Sequence, residues 1–465
     1  MNAVRVDPGG WREAIAARLA DGARFAGAWV AGSEWRVALA GADHRMAILG
    51  CPAGEGVVPS IVDLSPAAGW DEREAHDLHG LGFDGHEPLR ALVAHPRDPE
   101  AWMTPVQGDG VHEVAVGPVH AGVIESGHFR FHVVGERILA VDARLFYKHR
   151  GLERAAEGHE PSDGLAYAQR ACAACAVTNG VAYAQAVEAA LGLWPDRDLR
   201  IGRTVLLELE RLYNHLHDIG ALCAGVGFAP GTMAFAALKD RAQRVNEQLT
   251  AHRFLFGTVA VGAGALACDA ASVDAAREAV HDLRADAAAA WRDLEFASSL
   301  QARLGGVGVL DRGAALRLGA SGPAARASGV RADVRSESPR LWYGDFIPAA
   351  PRDATGDVAA RLSLRALELE TTFEILDELL VHELVGGTTS HEAAPSALGI
   401  CRVESPRGGT LAAVELAGGR VARLHLRTGS YANWPPLAHA AVGNLLPDFP
   451  LINKSFELCY ACVDR

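Results

Sequence analysis

The 465-residue sequence lacks a long apolar run, which argues against a membrane span within the chain itself. Its longest apolar windows, such as LFGTVAVGAGALAC, are rich in glycine and shorter than the roughly 20 residues that a spanning helix needs. The N-terminal MNAVRVDPGGWREAIAARLA has an acidic residue and a Pro-Gly-Gly turn where a signal peptide requires an apolar stretch. We therefore expect a cytoplasmic chain without a transmembrane segment of its own.

Cysteine is scarce, and an excess of basic charge is missing. Eight cysteines are too few for a disulfide scaffold in a chain of this length, and in a reducing compartment closely spaced cysteines are more often metal ligands or redox groups. A formal net charge of -13 argues against the basic surface that nucleic acid requires, so we expect no nucleic-acid partner. The hydrophobic content of 49% is that of an ordinary globular protein.

The patterning divides the chain near residue 110. Residues 1–110 begin with an amphipathic helical segment, continue with alternating, strand-like stretches and end in a polar connector that contains proline, which predicts a small α/β domain. Residues 111–465 contain long helical segments rich in alanine, leucine, glutamate and arginine, with hairpin-like stretches at 113–142 and 399–428. We predict an α+β fold, in which a small α/β domain precedes a large, mainly helical domain with a long helix bundle flanked by β-hairpins.

Two Cys-X-X-Cys pairs carry the clearest chemical signal. Cys172 and Cys175 lie in a helical pattern that predicts both sulfurs on one helix face, and Cys459 and Cys462 lie in the terminal ELCYACVDR. Four thiolates can bind one metal ion. Spacing alone leaves a metal site and buried core cysteines equally open. The pairs are also much farther apart than the roughly 15–20 residues of a zinc ribbon.

The residues around these cysteines resemble a known family. The segments HRGLE, RACAAC, AYAQAVE, LELERLYNHL, VESPRGG and DFPLINKSFELCYAC occur in the order found in the large subunit of nickel-iron hydrogenases. Within that family the resemblance is to the energy-converting, formate-hydrogenlyase type, which is related to the quinone-site subunit of respiratory complex I. It covers residues 113–465, and AAGWDEREAHDLHGLGFDGHEPLR resembles the small hydrophilic complex I subunit, here fused in front.

The resemblance implies a nickel-iron centre whose iron also carries cyanide and carbon monoxide. By similarity, Cys175 and Cys462 bridge the two metals, while Cys172 and Cys459 bind nickel terminally. Soft thiolates suit both metals. The chain has no further cysteine motif for an iron-sulfur cluster, so the resemblance also implies an iron-sulfur partner subunit.

The same resemblance implies roles for four other polar residues. Glu125, in VIESGHFRF, matches a carboxylate that relays protons from the metal, and Arg407, in SPRGG, matches an arginine over the open metal position. Glu153, in HRGLE, matches a carboxylate that binds magnesium in many relatives, and Glu457 lies where many relatives have an aspartate near the centre. Each also has a structural alternative, such as a solvated hairpin acid, a turn arginine or an acid at a helix start.

The sequence departs from the family pattern at the first cysteine pair. Ala173 replaces a glycine, and Asn179 replaces a histidine of many relatives. The Asn179 amide can donate a hydrogen bond to a thiolate or cyanide, but it cannot carry a proton. His120, in GPVH, lies in the loop whose histidines face quinone in the complex I branch, although a structural role is the simpler interpretation. Many relatives lose a C-terminal extension after nickel insertion; with nothing after Arg465, we expect a processed form or a branch without cleavage.

The resemblance implies the catalytic large subunit of a membrane-associated hydrogenase. It would interconvert dihydrogen with protons and electrons by heterolytic cleavage, pass electrons to an iron-sulfur small subunit, and join the membrane-arm subunits of a complex I-like assembly at the cytoplasmic face of the membrane. One alternative is a complex I-like quinone-site subunit, which does not need the cysteines. Another is a non-catalytic scaffold that is metal-free or holds zinc. The sequence leaves the electron donor, the direction in vivo and any ion pumping open.

Overall fold

The computed structural model describes residues 3–119, 125–264, 266–344, 346–351, 353–381 and 383–465. Its first part is a small α/β unit, as the alternating pattern predicts. The elements of this unit are β1 Val4–Arg5, α1 Pro8–Ala20, β2 Arg24–Ala31, β3 Glu34–Ala40, β4 Met46–Pro52, β5 Val57–Pro59, α2 Gly69–His79 and β6 Gly82–Asp84. The sheet has the order β1-β4-β3-β2, with β1 and β4 parallel and the other neighbours antiparallel, and β5 pairs with β6.

The α/β unit has a hydrophobic core of its own. Trp11 and Ile15 of α1 are fully buried in a cluster that includes Trp35 of β3 and Phe83 of β6. The rings of Trp35 and Phe83 meet edge to face, with centroids 5.1 Å apart. Side chains of β3 alternate between two faces, so Ala38 belongs to a different cluster, which joins the opposite face of the sheet to the later part of the chain.

The rest of the chain is mainly helical. Its elements are β7 Val111–Val116, β8 His128–Val134, β9 Arg137–Arg144, α3 Leu152–Ala155, α4 Pro161–Gln169, α5 Ala176–Leu191, β10 Leu193–Pro195, α6 Arg197–Gly225, α7 Ala229–Thr250, α8 Ala270–Glu295, α9 Ser298–Leu304, α10 Arg312–Arg317, α11 Gly322–Ala327, α12 Val358–Leu379, β11 Thr389–His391, β12 Leu398–Ser405, β13 Gly408–Ala417, β14 Arg420–Arg427, α13 Gly429–Ala441, α14 Phe449–Phe456 and α15 Tyr460–Asp464. The α+β fold class is confirmed.

Each predicted hairpin is part of a three-stranded antiparallel sheet, β7-β8-β9 or β12-β13-β14. The first turn lies at Gly135, whose positive φ of 58° suits glycine. Phe129, Phe131 and Val133 of β8 are buried as the alternation predicts. His132 is buried too, because the register of β8 and β9 shifts between His132 and Val133.

The long helix α6 is the centre of the helical part. It begins after Asp196, whose carboxylate caps it by accepting a hydrogen bond from the Leu199 amide at 2.8 Å. The apolar side chains of Leu209, Leu216 and Ile219 are fully buried, and the helix packs against α7 and α12. Within the described ranges, no helix combines the length and the apolar character that crossing a membrane requires.

Charged side chains also lie inside this helical core. Arg326 of α11 is 3% exposed and contacts three carboxylates. Its Nε donates to Glu368 at 2.8 Å and its Nη1 donates to Glu404 at 2.8 Å, while Asp333 lies 3.1 Å from Nη1. Three buried carboxylates cannot stay ionised at this separation unless a cation lies between them, so this contact holds α11, α12 and β12 together.

We expect Arg326→Met to lower the free energy of unfolding by about 3–5 kcal/mol, because it leaves Glu368 and Glu404 buried without the guanidinium that neutralises them. The measurement is urea denaturation of the isolated chain followed by circular dichroism. Arg241→Met is the control, since Arg241 pairs with Asp286 at the surface, where its side chain is 42% exposed. That loss should be below about 1 kcal/mol. Equal losses for the two variants would contradict a structural role for the buried cluster.

Candidate metal centre

The first cysteine pair lies in the turn that leads into α5. Cys172 has an extended backbone, a short 3-10 turn covers Ala173 to Cys175, and α5 starts directly afterwards. The prediction that both residues lie on a helix face is therefore wrong. The helix starts late because the Glu210 carboxylate of α6 accepts hydrogen bonds from the amides of Val177 and Thr178, at 2.7 and 3.1 Å. This carboxylate provides the cap that the first turn of α5 needs.

The second pair lies in a tail that folds back into the protein. Glu457 has a positive φ of 50° and ends α14, so that the chain turns into the short helix α15. The amide of Cys459 donates to the Ser430 hydroxyl at 3.0 Å, and the Thr428 hydroxyl donates to the carbonyl of Cys462 at 3.2 Å. Val463 and the two residues after it are buried, as a metal site in the tail requires.

The fold brings the four sulfurs of the two pairs together. All four lie within 4.8 Å of one another, and Sγ of Cys175 is 4.0 Å from Sγ of Cys459 although 284 residues separate them. None of the eight cysteines forms a disulfide. Thiolates bound at about 2.3 Å around one tetrahedral ion are roughly 3.8 Å apart. The spacing therefore fits a shared metal site, and the soft donors suit nickel, iron or zinc.

Close contact within the cluster shifts the pKa of Cys175, Cys459 and Cys462. Hydrogen bonds among the sulfurs raise the pKa of Cys175 and Cys462 and lower the pKa of Cys459, to which the Arg407 guanidinium also contributes. Of these three thiols, Cys459 therefore ionises most easily. Further thiolates in this small space need a neutralising cation, which a bound metal provides.

Arg407 lies in the turn between β12 and β13 and is almost fully buried. Its Nη1 donates to Asp218 of α6 at 2.8 Å, and Asp218 also accepts from Nε of Arg365 at 3.1 Å. Burial opposes the Arg407 charge, but Asp218 and the cysteine sulfurs raise its pKa overall. Although burial also opposes the Asp218 charge, Arg407 helps to lower its pKa to about 2. Asp218 thus holds the positively charged guanidinium of Arg407 in place beside the sulfurs.

Glu125 lies on the other side of the tail. Its carboxylate accepts a hydrogen bond from the amide of Ala461, the residue before Cys462, at 2.5 Å. Burial raises the pKa of Glu125, and this hydrogen bond opposes the shift only in part. A cavity of about 490 Å³ reaches the cluster and is lined by Glu125, Cys172, His217, Arg407 and Cys459, among others. The acid and the sulfurs therefore share one accessible space.

The other predicted positions lie in different surroundings. Asn179 is fully buried one turn after Cys175, and neither amide atom has a hydrogen-bond partner among the described residues. Glu457 lines the cavity and lies 3.6 Å from His217. Glu153 is not at the cluster; it accepts from the Leu426 amide at 2.8 Å. His120 lies outside the described residues.

Sequence reasoning missed three residues that shape the site. Asp218 holds Arg407, Ser430 holds the Cys459 backbone, and Glu210 caps the helix behind Cys175. Asp218 left a signal in the sequence, because Arg211, His215 and Asp218 recur at helical spacing. Ser430 and Glu210 contact residues that are distant in the sequence, so no local sequence pattern indicated their roles.

Comparison with known proteins identifies the family. Residues 226–398 and 382–465 match the model of the respiratory-chain NADH dehydrogenase 49 Kd subunit, residues 37–111 match the 30 Kd subunit, and residues 150–250 match nickel-dependent hydrogenase. The chain is 30% identical to formate hydrogenlyase subunit 5 of Escherichia coli K12, over 88% of this chain and 77% of that protein. The chain belongs to the nickel-iron hydrogenase large-subunit family related to complex I.

Other members of this family carry different names. The chain is 28% identical to an NADH-quinone oxidoreductase protein of Phocaeicola vulgatus, over 77% of this chain and 75% of that protein. A solved structure of an archaeal membrane-bound sulfane sulfur reductase superposes with a TM-score of 0.70 at 27% identity, covering 78% of this chain and all of that one. This family member is thus an oxidoreductase of hydrogenase or complex I type, and its own site residues must decide between the two.

Proposed function

We propose that the chain is the catalytic large subunit of a membrane-associated hydrogenase, with Cys172, Cys175, Cys459 and Cys462 as the ligands of a nickel-iron centre. The observation that carries this proposal is the meeting of four sulfurs within 4.8 Å in a cavity that also contains an acid and an arginine. When bound, such a centre supplies heterolytic cleavage of dihydrogen, or its reverse, and cyanide and carbon monoxide on iron belong to the same proposal.

The chain's own residues would manage the proton and the charge. Glu125 accepts the proton released at the cluster, and burial raises its pKa, which makes it a better proton acceptor than a solvent-exposed carboxylate. Arg407 stabilises negative charge on the sulfurs, because Asp218 holds its guanidinium in place. Asn179 donates its amide hydrogens to a thiolate or cyanide. Glu457 contacts His217, and the two side chains form part of the cavity wall.

Electrons would leave through another subunit. The four remaining cysteines, Cys51, Cys223, Cys268 and Cys401, form no cluster among the described residues, so we propose an iron-sulfur small subunit as the electron partner. Relatives include a membrane-bound hydrogenase of Pyrococcus furiosus. We propose by similarity that this chain attaches to membrane-arm subunits at the cytoplasmic face, and that a domain boundary near residue 110 separates a complex I-type unit, residues 1–110, from the catalytic part, residues 111–465.

A complex I-like quinone-site subunit is the second candidate. The matches to the 49 Kd and 30 Kd subunit models favour it, and so does a cavity of about 490 Å³ that could accept a small ring. The four cysteines favour the hydrogenase, since a quinone site has no use for four sulfurs at metal-ligand spacing. A zinc-holding scaffold would use the same sulfurs, and metal analysis distinguishes it.

Metal analysis of the purified complex tests the proposed function. We expect about one nickel and one iron per chain from this site, with infrared bands from iron-bound cyanide and carbon monoxide. Cys462→Ala should lose nickel and hydrogen turnover together, because it removes one of four ligands. Cys223→Ala should keep both, since Cys223 is a buried cysteine of α6 that does not belong to the four-sulfur cluster. Zinc, or no metal, in the wild-type protein would refute the hydrogenase.

Glu125→Gln tests the proton route. Glutamine keeps the size of the side chain but cannot accept a proton, so exchange between dihydrogen and deuterated water should fall by about 10²–10⁴-fold. Nickel content should stay at the wild-type level. Glu113→Gln is the matched control, because Glu113 is an exposed acid of β7. Unchanged exchange in Glu125→Gln, with nickel retained, would remove Glu125 from the mechanism.

A further inference from the structure

A second group of potential metal ligands lies behind the cysteine cluster. Glu74 of α2, Glu153 of α3 and His425 of β14 each offer a ligand atom, and these atoms all lie within 4.8 Å of one another. All three side chains are buried. The group includes Glu153, the position at which the family resemblance implies magnesium. Two carboxylates and an imidazole so close together require a cation nearby.

The side chain of Arg465 already supplies that cation. Its Nη2 donates to Glu74 at 2.5 Å and its Nη1 donates to Glu153 at 2.8 Å. Nη1 also donates to the carbonyl of Leu426, and Nε donates to the carbonyl of Val463 at 3.2 Å. Arg465 is 3% exposed, and its guanidinium lies over the Tyr431 ring, 5.0 Å from the ring centroid.

The charges and donor atoms leave no place for magnesium. Glu74 and Glu153 already pair with the Arg465 guanidinium. Arg423 lies 3.7 Å from Glu153 and also contacts Glu157 at 3.2 Å. A divalent cation bound to these carboxylates would be repelled by both guanidinium groups in a buried site. Magnesium prefers six oxygen ligands and usually keeps several waters, whereas this site offers an imidazole and carboxylates that already accept hydrogen bonds.

We propose that the Arg465 guanidinium replaces the magnesium ion and serves as the internal cation that holds the second cysteine pair in place. It joins three parts of the fold: α2 of the α/β unit, α3 with β14, and the tail that carries Cys459 and Cys462. The neighbouring Asp464 supports the same attachment by accepting from the amides of Phe146 and Lys148, at 2.8 and 3.0 Å.

Closure of the tail then does not depend on magnesium. The planar fork of arginine binds two carboxylates in different directions, which a lysine ammonium reproduces less well. This inference does not rest on nickel, since the same contacts would hold the tail over zinc or an empty cluster.

The test combines elemental analysis with thermal unfolding of the full-length protein in its complex. After transfer to magnesium-free buffer, the wild-type protein should contain no stoichiometric magnesium, and added Mg²⁺ should leave its Tm unchanged. Arg465→Ala should lower Tm, because it leaves Glu74 and Glu153 without their main partner. Added Mg²⁺ should then raise the Tm of this variant, since the vacated space keeps three ligand groups.

Two further variants keep the test decisive. Arg420→Ala is the control, because Arg420 lies on the same strand as His425 but pairs with Glu160 at the surface, where its side chain is 57% exposed; its Tm should stay near the wild-type value. Arg465→Lys should lie between wild type and Arg465→Ala. If Arg465→Ala does not fold, the wild-type magnesium content and the Arg465→Lys variant still decide.

About one magnesium per wild-type chain, with a lower Tm after its removal, would overturn the inference. So would an Arg465→Ala protein as stable as wild type that does not respond to Mg²⁺. Nickel is measured in the same elemental analysis. A wild-type protein without nickel would refute the hydrogenase proposal. It would not affect the proposal for Arg465, which depends only on the magnesium content and on Tm.

Discussion

The contact between the two cysteine pairs is the constraint on which the rest of the site depends. Cys175 and Cys459 are 284 residues apart, and closing so long a segment costs conformational entropy that the sulfurs alone do not offset before a metal binds. The tail is therefore attached along its length. Ser430, Thr428 and Glu125 bind its backbone, and Arg465 binds carboxylates from two other parts of the fold. These contacts preorganise the four ligands.

A buried ionic chain continues from the metal site into the helix bundle. Arg407 contacts Asp218, whose carboxylate lies 3.7 Å from His215, and His215 contacts Glu368 at 2.8 Å. Glu368 in turn binds Arg326. The ion pairs at the two ends of this chain, Arg407 with Asp218 and Glu368 with Arg326, stabilise buried charges, and removing one partner leaves the other uncompensated. The charge beside the cysteines is thus fixed by the bundle rather than by the turn that carries Arg407.

Much of this arrangement follows from the sequence, and the remainder depends on contacts that no local pattern encodes. Hydrophobic periodicity predicted the long helices and the buried face of β8, and the family resemblance around the two cysteine pairs predicted the cluster. The prediction that Cys172 and Cys175 lie on a helix was wrong, because Glu210 from another helix caps α5 and determines where it begins. Arg465 could not be assigned either, since its partner Glu74 lies 391 residues away. His120 stays a prediction.

X-ray absorption spectroscopy at the nickel K-edge tests the central claim most directly, because it reports the identity and distance of the atoms around nickel. If Cys172, Cys175, Cys459 and Cys462 hold a nickel-iron centre, the nearest shell of nickel contains sulfur from four cysteines and a second metal lies just beyond it. A shell of nitrogen or oxygen atoms, or sulfur without a neighbouring iron, would contradict the account.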